Sequence, residues 1–113
     1  MNSMRNKVTL IGNLGNDPEI KIFENNKKFA RISVATNETY KNKQGEKVTE
    51  TTWHNVVIWG GLAGVTEKIL KKGSEVCVEG KLVNRNWTDK EGIKRYSTEI
   101  HAHDLLLLGS RAA

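Results

Sequence analysis

The sequence is poor in residues that cross-link, punctuate or coordinate. Its 113 residues include one cysteine, Cys77, one proline, Pro18, and three histidines. A lone cysteine excludes an intrachain disulfide framework and a cysteine-rich zinc site. Its plain reading is a buried or interface thiol, compatible with a reducing compartment. No Pro/Gly/Ser-rich linker, internal repeat or low-complexity tract divides the chain, so one domain with a modest core is expected. Long apolar runs are missing too. Nothing approaches the length needed to cross a bilayer, and the start MNSMRNKVTLIG carries no apolar h-region, which points to a soluble, unexported protein. GGLAG at 60–64 lacks the lysine and serine of a phosphate cradle and reads as a strand-to-helix bend.

What is present is a mild basic excess, 18 Lys and Arg against 13 Asp and Glu for a net charge of +5, which suggests a polyanionic partner without naming it. The tryptophans sharpen the suggestion. In TTWHNVVIWG, Thr51 to Gly60, strand alternation places Trp53, Asn55, Val57 and Trp59 on one face, opposite Thr52, His54, Val56 and Ile58. The two indoles lie roughly 20 Å apart at the usual rise per residue. The third, Trp87, follows Lys81 and Arg85 and precedes Lys90 and Lys94. Flat rings among fixed positive charges suit stacked bases and phosphates, although any one tryptophan taken alone reads equally well as core or subunit interface.

In chain order, NKVTLIGNL (Asn6 to Leu14) puts Val8, Leu10, Gly12 and Leu14 on one parity of a first long strand, with Gly12 and Gly15 permitting bends. Asn16-Asp17-Pro18 marks a turn, EIKIF resumes extended alternation, and ENNKK turns again. FARISVATNETY turns Ala30, Ile32, Val34 and Thr36 inward, and KNKQGEK forms a basic loop before the tryptophan strand. Leu62, Val65, Thr66, Ile69 and Leu70 have helical spacing, closed by Lys71-Lys72 and a C′ Gly73. EVCVEGKLVNRN and KRYSTEIHA are two further strands around a TDKEG tip, and LLLL at 105–108 is either strand continuation or an apolar edge used in assembly. The implied architecture is all-β: a five-stranded OB-fold barrel over residues 1–108, with one short α-helix between the third and fourth long strands.

No cofactor is expected. The nearest thing to catalytic chemistry is His101-Ala102-His103-Asp104, where two histidines two apart on a strand face the same way and would need further ligands to hold a metal. His54, on the non-tryptophan face, reads as a hydrogen-bonded structural or interface residue.

Five segments in order, NKVTLIGNLGNDPE, SVATNETY, TTWHNVVIWG, LKKGSEVCVEGKL and NRNWTDKEGIKRYSTEI, resemble the bacterial-type single-stranded DNA-binding protein (SSB) family across nearly the whole chain. The resemblance implies an OB-fold that assembles as a homotetramer and wraps single-stranded DNA, or less tightly RNA, without strong sequence preference. It implies roles in replication, recombination and repair, no enzymatic activity, and a cytoplasmic, nucleoid-associated location. It places base-stacking aromatics at Tyr40, Trp53, Trp59 and Trp87. Tyr40 stands where the family often has Trp, and Trp59 where it often has Phe. Asn55, Gly61, Val83 and Asn86 replace residues that are often basic, leaving Lys7, Arg31, Lys43, Lys47, Lys72, Arg85 and Lys94 as phosphate contacts. His54 matches a subunit-interface histidine, with Val8, Cys77 and Glu79 on strands near the same contacts.

Relatives usually continue into a flexible linker with an acidic tip. Here residues 109–113, Gly-Ser-Arg-Ala-Ala, hold no acid, so tail-dependent partners are not expected. Other readings are a primosome-type accessory protein, an oligosaccharide-binding or protein-interaction barrel, and a metal-dependent nuclease using His101, His103 and Asp104. Three indoles argue against the first, salt-sensitive binding separates the second, and absence of cleavage disposes of the third.

Overall fold

The computed structural model describes residues 3–109. Among them, besides two three-residue 3-10 turns, six strands and one α-helix follow in the order β1 (Val8–Leu14), β2 (Glu19–Ile22), β3 (Lys28–Lys41), β4 (Lys47–Trp59), α1 (Gly61–Ile69), β5 (Glu75–Thr88) and β6 (Lys94–Gly109). Five strands close a barrel in the order β1-β5-β6-β4-β3, and β3 returns to β1 through Asn13↔Ala35 and Leu14↔Val34. The β4–β6 pairing is parallel, and every other pairing is antiparallel. Short β2 extends the far edge of β3 as a sixth strand, because the turn through Asn16, Asp17 and Pro18 interrupts the ladder before it. Counted that way the helix follows the fourth strand, where a five-strand count had placed it after the third.

Two hairpins carry most of the pairing, and their tips share one construction. In NKQGE, the Oδ1 of Asn42 accepts the amide N–H groups of Gln44 at 3.0 Å and Glu46 at 2.9 Å, with Gly45 at φ 79°. In DKEGI, the Oδ1 of Asp89 accepts those of Glu91 and Ile93, both at 2.9 Å, with Gly92 at φ 81°. An Asx side chain that fills the turn's own donors, followed three residues later by a glycine in the left-handed region, closes a loop of fixed length. A fixed loop sets the register of everything behind it.

Inward-facing β-branched residues alternate along these strands: Ile32 and Val34 on β3, Val56 and Ile58 on β4, Val76 and Val78 on β5, all 2 % exposed or less. Each such burial is worth about 1.5–3 kcal/mol. Closure depends on Gly12, where a Cβ would lie 2.9 Å from a Val34 methyl and 3.0 Å from the carbonyl carbon of Ala35. Only a residue without a side chain lets β1 approach β3 so closely.

The helix buries Ala63, Thr66 and the following Leu70, while Val65 and Ile69 are exposed, so part of the expected apolar stripe faces outward. Its end differs from expectation as well. The chain becomes extended at Leu70, and Gly73 (φ 90°) sits in the turn beyond, donating its N–H to the carbonyl of Leu14 at 2.9 Å. Leu105 to Leu108 continue β6 beside β5, with Leu105 and Leu107 against the core and Leu106 and Leu108 outward. Of the expectation for residues 109–113, the part past Gly109 lies outside the described residues.

Candidate nucleic-acid interface

The register of the β3–β4 hairpin places Phe29 opposite Trp59, Arg31 opposite Val57 and Ala35 opposite Trp53, all with outward parity. Phe29 is buried beneath two half-exposed rings. Its centroid lies 4.9 Å from that of Trp59 and 5.2 Å from that of Phe23, which is 6.1 Å from Trp59. The planes differ by 3° to 26°, so the three rings form one near-parallel platform. Arg31 and Lys21 lie over the Phe29 ring at 5.9 and 6.0 Å, close enough for cation–π attraction. Sequence reasoning found Trp59 and missed Phe23 and Phe29. The signal was available in the Asn42 tip, since counting back from it pairs position 29 with 59.

Farther along β4, Trp53 is 60 % exposed and lies over Gly15, where a Cβ would come within 2.7 Å of its Cη2. The far edge of the indole lies against Gly15, and most of the ring is open. Tyr40 and Trp87 stand on the hairpin arms that project from the barrel, and both are about half exposed. The Tyr40 hydroxyl donates to Glu50 Oε1 at 2.9 Å, and that bond, with the carboxylate's charge, raises the phenol's pKa above its ordinary value. Behind Trp87, the Arg95 Nε donates to Asp89 Oδ2 at 3.0 Å; the Ile93 amide first and this guanidinium second hold the Asp89 carboxyl below the usual carboxylate value.

The expected cations divide into two sets. Lys43, Lys47, Lys72 and Lys94 are exposed in or beside turns, and the Lys72 backbone N–H donates to Asp17 Oδ1 at 2.8 Å. The others are already paired. Lys7 meets Glu79 at 3.5 Å, joining a residue expected at phosphates to one expected at subunit contacts. Arg31 and Arg85 converge on one carboxylate, Glu99, at 3.6 and 3.4 Å, and His101 joins it at 3.2 Å. Glu99 was not anticipated. It enters this face because the Asp89 tip pairs it with Val83, two residues from Arg85.

The same ladder separates the two histidines. A register shift beside Glu79 and Gly80 leaves His103 without a partner, and His103 lies 3.7 Å from Glu79 while His101 meets Glu99. They do not converge on one site, and among the described residues no group of three or more His, Cys, Asp or Glu is placed to hold a metal.

His54 is half-buried at one end of the barrel, its Nε2 3.0 Å from Thr36 Oγ1, and lines a hollow of about 210 Å³ with Trp53, Leu82, Thr98 and Ile100. Val8 packs against the core. Cys77 and Glu79 point the other way, and Cys77 is flanked across β1-β5-β6 by exposed Ile11 and Leu106. No helix of the described residues is long and apolar enough to cross a membrane.

The pattern of the single-strand binding protein family matches residues 5–108. The chain is similar to Single-stranded DNA-binding protein 1 of Xylella fastidiosa (strain 9a5c), with 51 % identity over 107 residues, covering 94 % of this chain and 79 % of that protein. Among solved structures it is similar to a Plasmodium falciparum SSB in complex with ssDNA, with TM-score 0.85 and 34 % identity, covering 92 % of this chain and 95 % of that one. It is also similar to a deletion mutant of the single-stranded DNA binding protein from Thermus aquaticus, with TM-score 0.80 and 26 % identity, covering 94 % of this chain and 51 % of that one.

Proposed function

The chain belongs to the single-strand binding protein family, a non-catalytic DNA-binding family, and from that premise we propose that it sequesters single-stranded DNA without strong sequence preference in replication, recombination and repair. The observation that carries the mechanism is the set of exposed rings: Phe23 and Trp59 packed on buried Phe29, Trp53 beside Gly15, and Tyr40 and Trp87 on the arms. Every base has a π-face, so stacking tolerates sequence, at about 1–3 kcal/mol per ring. Exposed Lys43, Lys47 and Lys94 on the arms neutralise phosphates and displace counterions, which makes binding salt-dependent. Binding only the unpaired strand draws hairpins open by mass action. No bond is made or broken.

Assembly as a homotetramer and association with the nucleoid belong to the same reading. Support for assembly is the outward row Ile11, Cys77 and Leu106 on three adjacent strands, together with half-buried His54. Apolar side chains grouped on an open sheet face are the usual mark of a contact surface. Replacing His54 with tryptophan is expected to lower the sedimentation coefficient at dilute concentration, and an unchanged profile removes His54 from the contact.

The function is tested by titrating intrinsic tryptophan fluorescence with oligo(dT) at two salt concentrations. Most of the emission is expected to be quenched at low salt, with weaker affinity at high salt. Full emission at saturating oligonucleotide in low salt overturns the reading.

A further inference from the structure

Beside the aromatic platform lies a cleft of about 250 Å³, and its lining includes a group that a polyanion-binding face does not otherwise require. That group is the carboxylate of Glu99, whose side chain is only 8 % exposed. It is loosely held. His101 Nε2 lies 3.2 Å from Oε1, while Arg85 Nη1 and Arg31 Nη2 lie 3.4 and 3.6 Å from Oε2. Full-strength charge-assisted bonds of this kind run about 2.7–2.9 Å. A carboxylate offers about four acceptor positions, so Glu99 retains unused capacity. Beside it the Nε of Arg31 is buried without a hydrogen-bond partner. Unused capacity to accept and a donor without an acceptor thus meet next to stacked rings. The volume falls below the range of about 300–1,000 Å³ typical of drug-sized ligands and suits a single planar ring.

We propose that this cleft is a nucleobase subsite, in which a base stacks on Phe23 and Trp59 and turns an exocyclic amino group toward Glu99. Glu99 is then a specificity-determining residue within otherwise sequence-tolerant binding, and the inference rests on the single-strand-binding reading above. Cytosine presents a donor, its 4-amino group, where thymine and uracil present the O4 acceptor, and pairing of Glu with the cytosine amino group is a recurrent base contact. Adenine and guanine also carry amino groups. Uracil and thymine set acceptor against acceptor at Glu99. A phosphate is the wrong occupant beside a carboxylate, whereas Arg31 and Arg85 offset the negative charge so that it does not repel the strand as a whole.

The test compares oligo(dC) with oligo(dU) of equal length, which differ in donor and acceptor pattern without the thymine methyl, on the parent protein and on Glu99→Gln. The ratio Kd(dC)/Kd(dU) is expected to rise at least about five-fold in Glu99→Gln, the low end for one specific base contact. An unchanged ratio with both oligonucleotides still binding overturns the proposal and leaves Glu99 as a counter-ion. A second measurement needs no variant: oligo(dC) whose bases lack the 4-amino group should bind the parent protein at least about five-fold more weakly than oligo(dC) itself. Equal binding refutes the subsite even if Glu99→Gln does not fold. Failure of every oligonucleotide to bind is a different outcome, and it overturns the single-strand-binding reading along with the subsite.

Discussion

Replacing Gly15 with alanine displaces the Trp53 ring without removing it. A Cβ at this position would lie 2.7 Å from Cη2 of Trp53. Carbon atoms rest at about 3.5–4.0 Å, so the indole must retreat by about 1 Å or swing outward. The movement is cheap for the fold, because Trp53 is 60 % exposed and the opposing atoms are the far end of a side chain. Alanine also restricts the unfolded chain, which is worth about 0.4–1 kcal/mol in favour of the folded state where the backbone accepts it. Stability is therefore expected to stay within about 1 kcal/mol of the parent protein. Binding is not so protected. Displacing the ring forfeits up to one base stack, about 1–3 kcal/mol, as Trp53→Ala would. Oligo(dT) titration at low salt measures the affinity, and thermal unfolding measures the stability. If Gly15→Ala binds like the parent protein while Trp53→Ala binds more weakly, the backbone at Gly15 does not position the ring. If neither substitution matters, Trp53 does not stack on bases.

Trp59→Ala and Trp87→Ala should each weaken oligo(dT) binding by about 1–3 kcal/mol with the fold retained; unfolding of either variant at room temperature would make that indole a core residue. Gly12→Ala should destabilise the barrel by about 1–3 kcal/mol, since the added Cβ presses on the β3 backbone, and the urea midpoint should fall at constant m-value. Asp89 predicts an acid sensitivity of the arm that carries Trp87. Its folded pKa is depressed, so its contribution is present above the unfolded value of about 3.9 and is lost as pH falls through the lower folded value. Amide exchange at Ile93 should rise in that acid window relative to Asp89→Asn, which keeps the turn acceptor but cannot titrate, and equal behaviour of the two proteins refutes the linkage.

Local periodicity settled a good deal before any folding. Alternation alone put Trp53 and Trp59 on one side of a strand and Val56 and Ile58 on the other, and the Asx-x-x-Gly tips at Asn42 and Asp89 set both long hairpins. These are properties of neighbouring residues and fixed loop lengths, so the chain carries them in any context. The turn at Pro18 and the extended segment that follows it were equally legible, although the pairing of that segment with β3 as a sixth strand was not. Val65 and Ile69 show the limit of periodicity, since helical spacing names an apolar stripe without saying how much of it the barrel can cover.

Tertiary structure decided what depends on strands distant in sequence. The approach of β1 to β3 at Gly12 closes the barrel, and the parallel β4–β6 pairing carries Glu99 and His101 to the side of Arg31. Phe29 becomes the floor of the aromatic platform only because β3 lies beside Trp59 and β2 brings Phe23 over it. The sequence determined which rings and charges exist and how each lies on its own strand. Which of them meet, and that Arg31 and Arg85 share one buried carboxylate before any phosphate arrives, followed from barrel closure, because side chains on separate strands acquire neighbours only when the sheet curls back on itself.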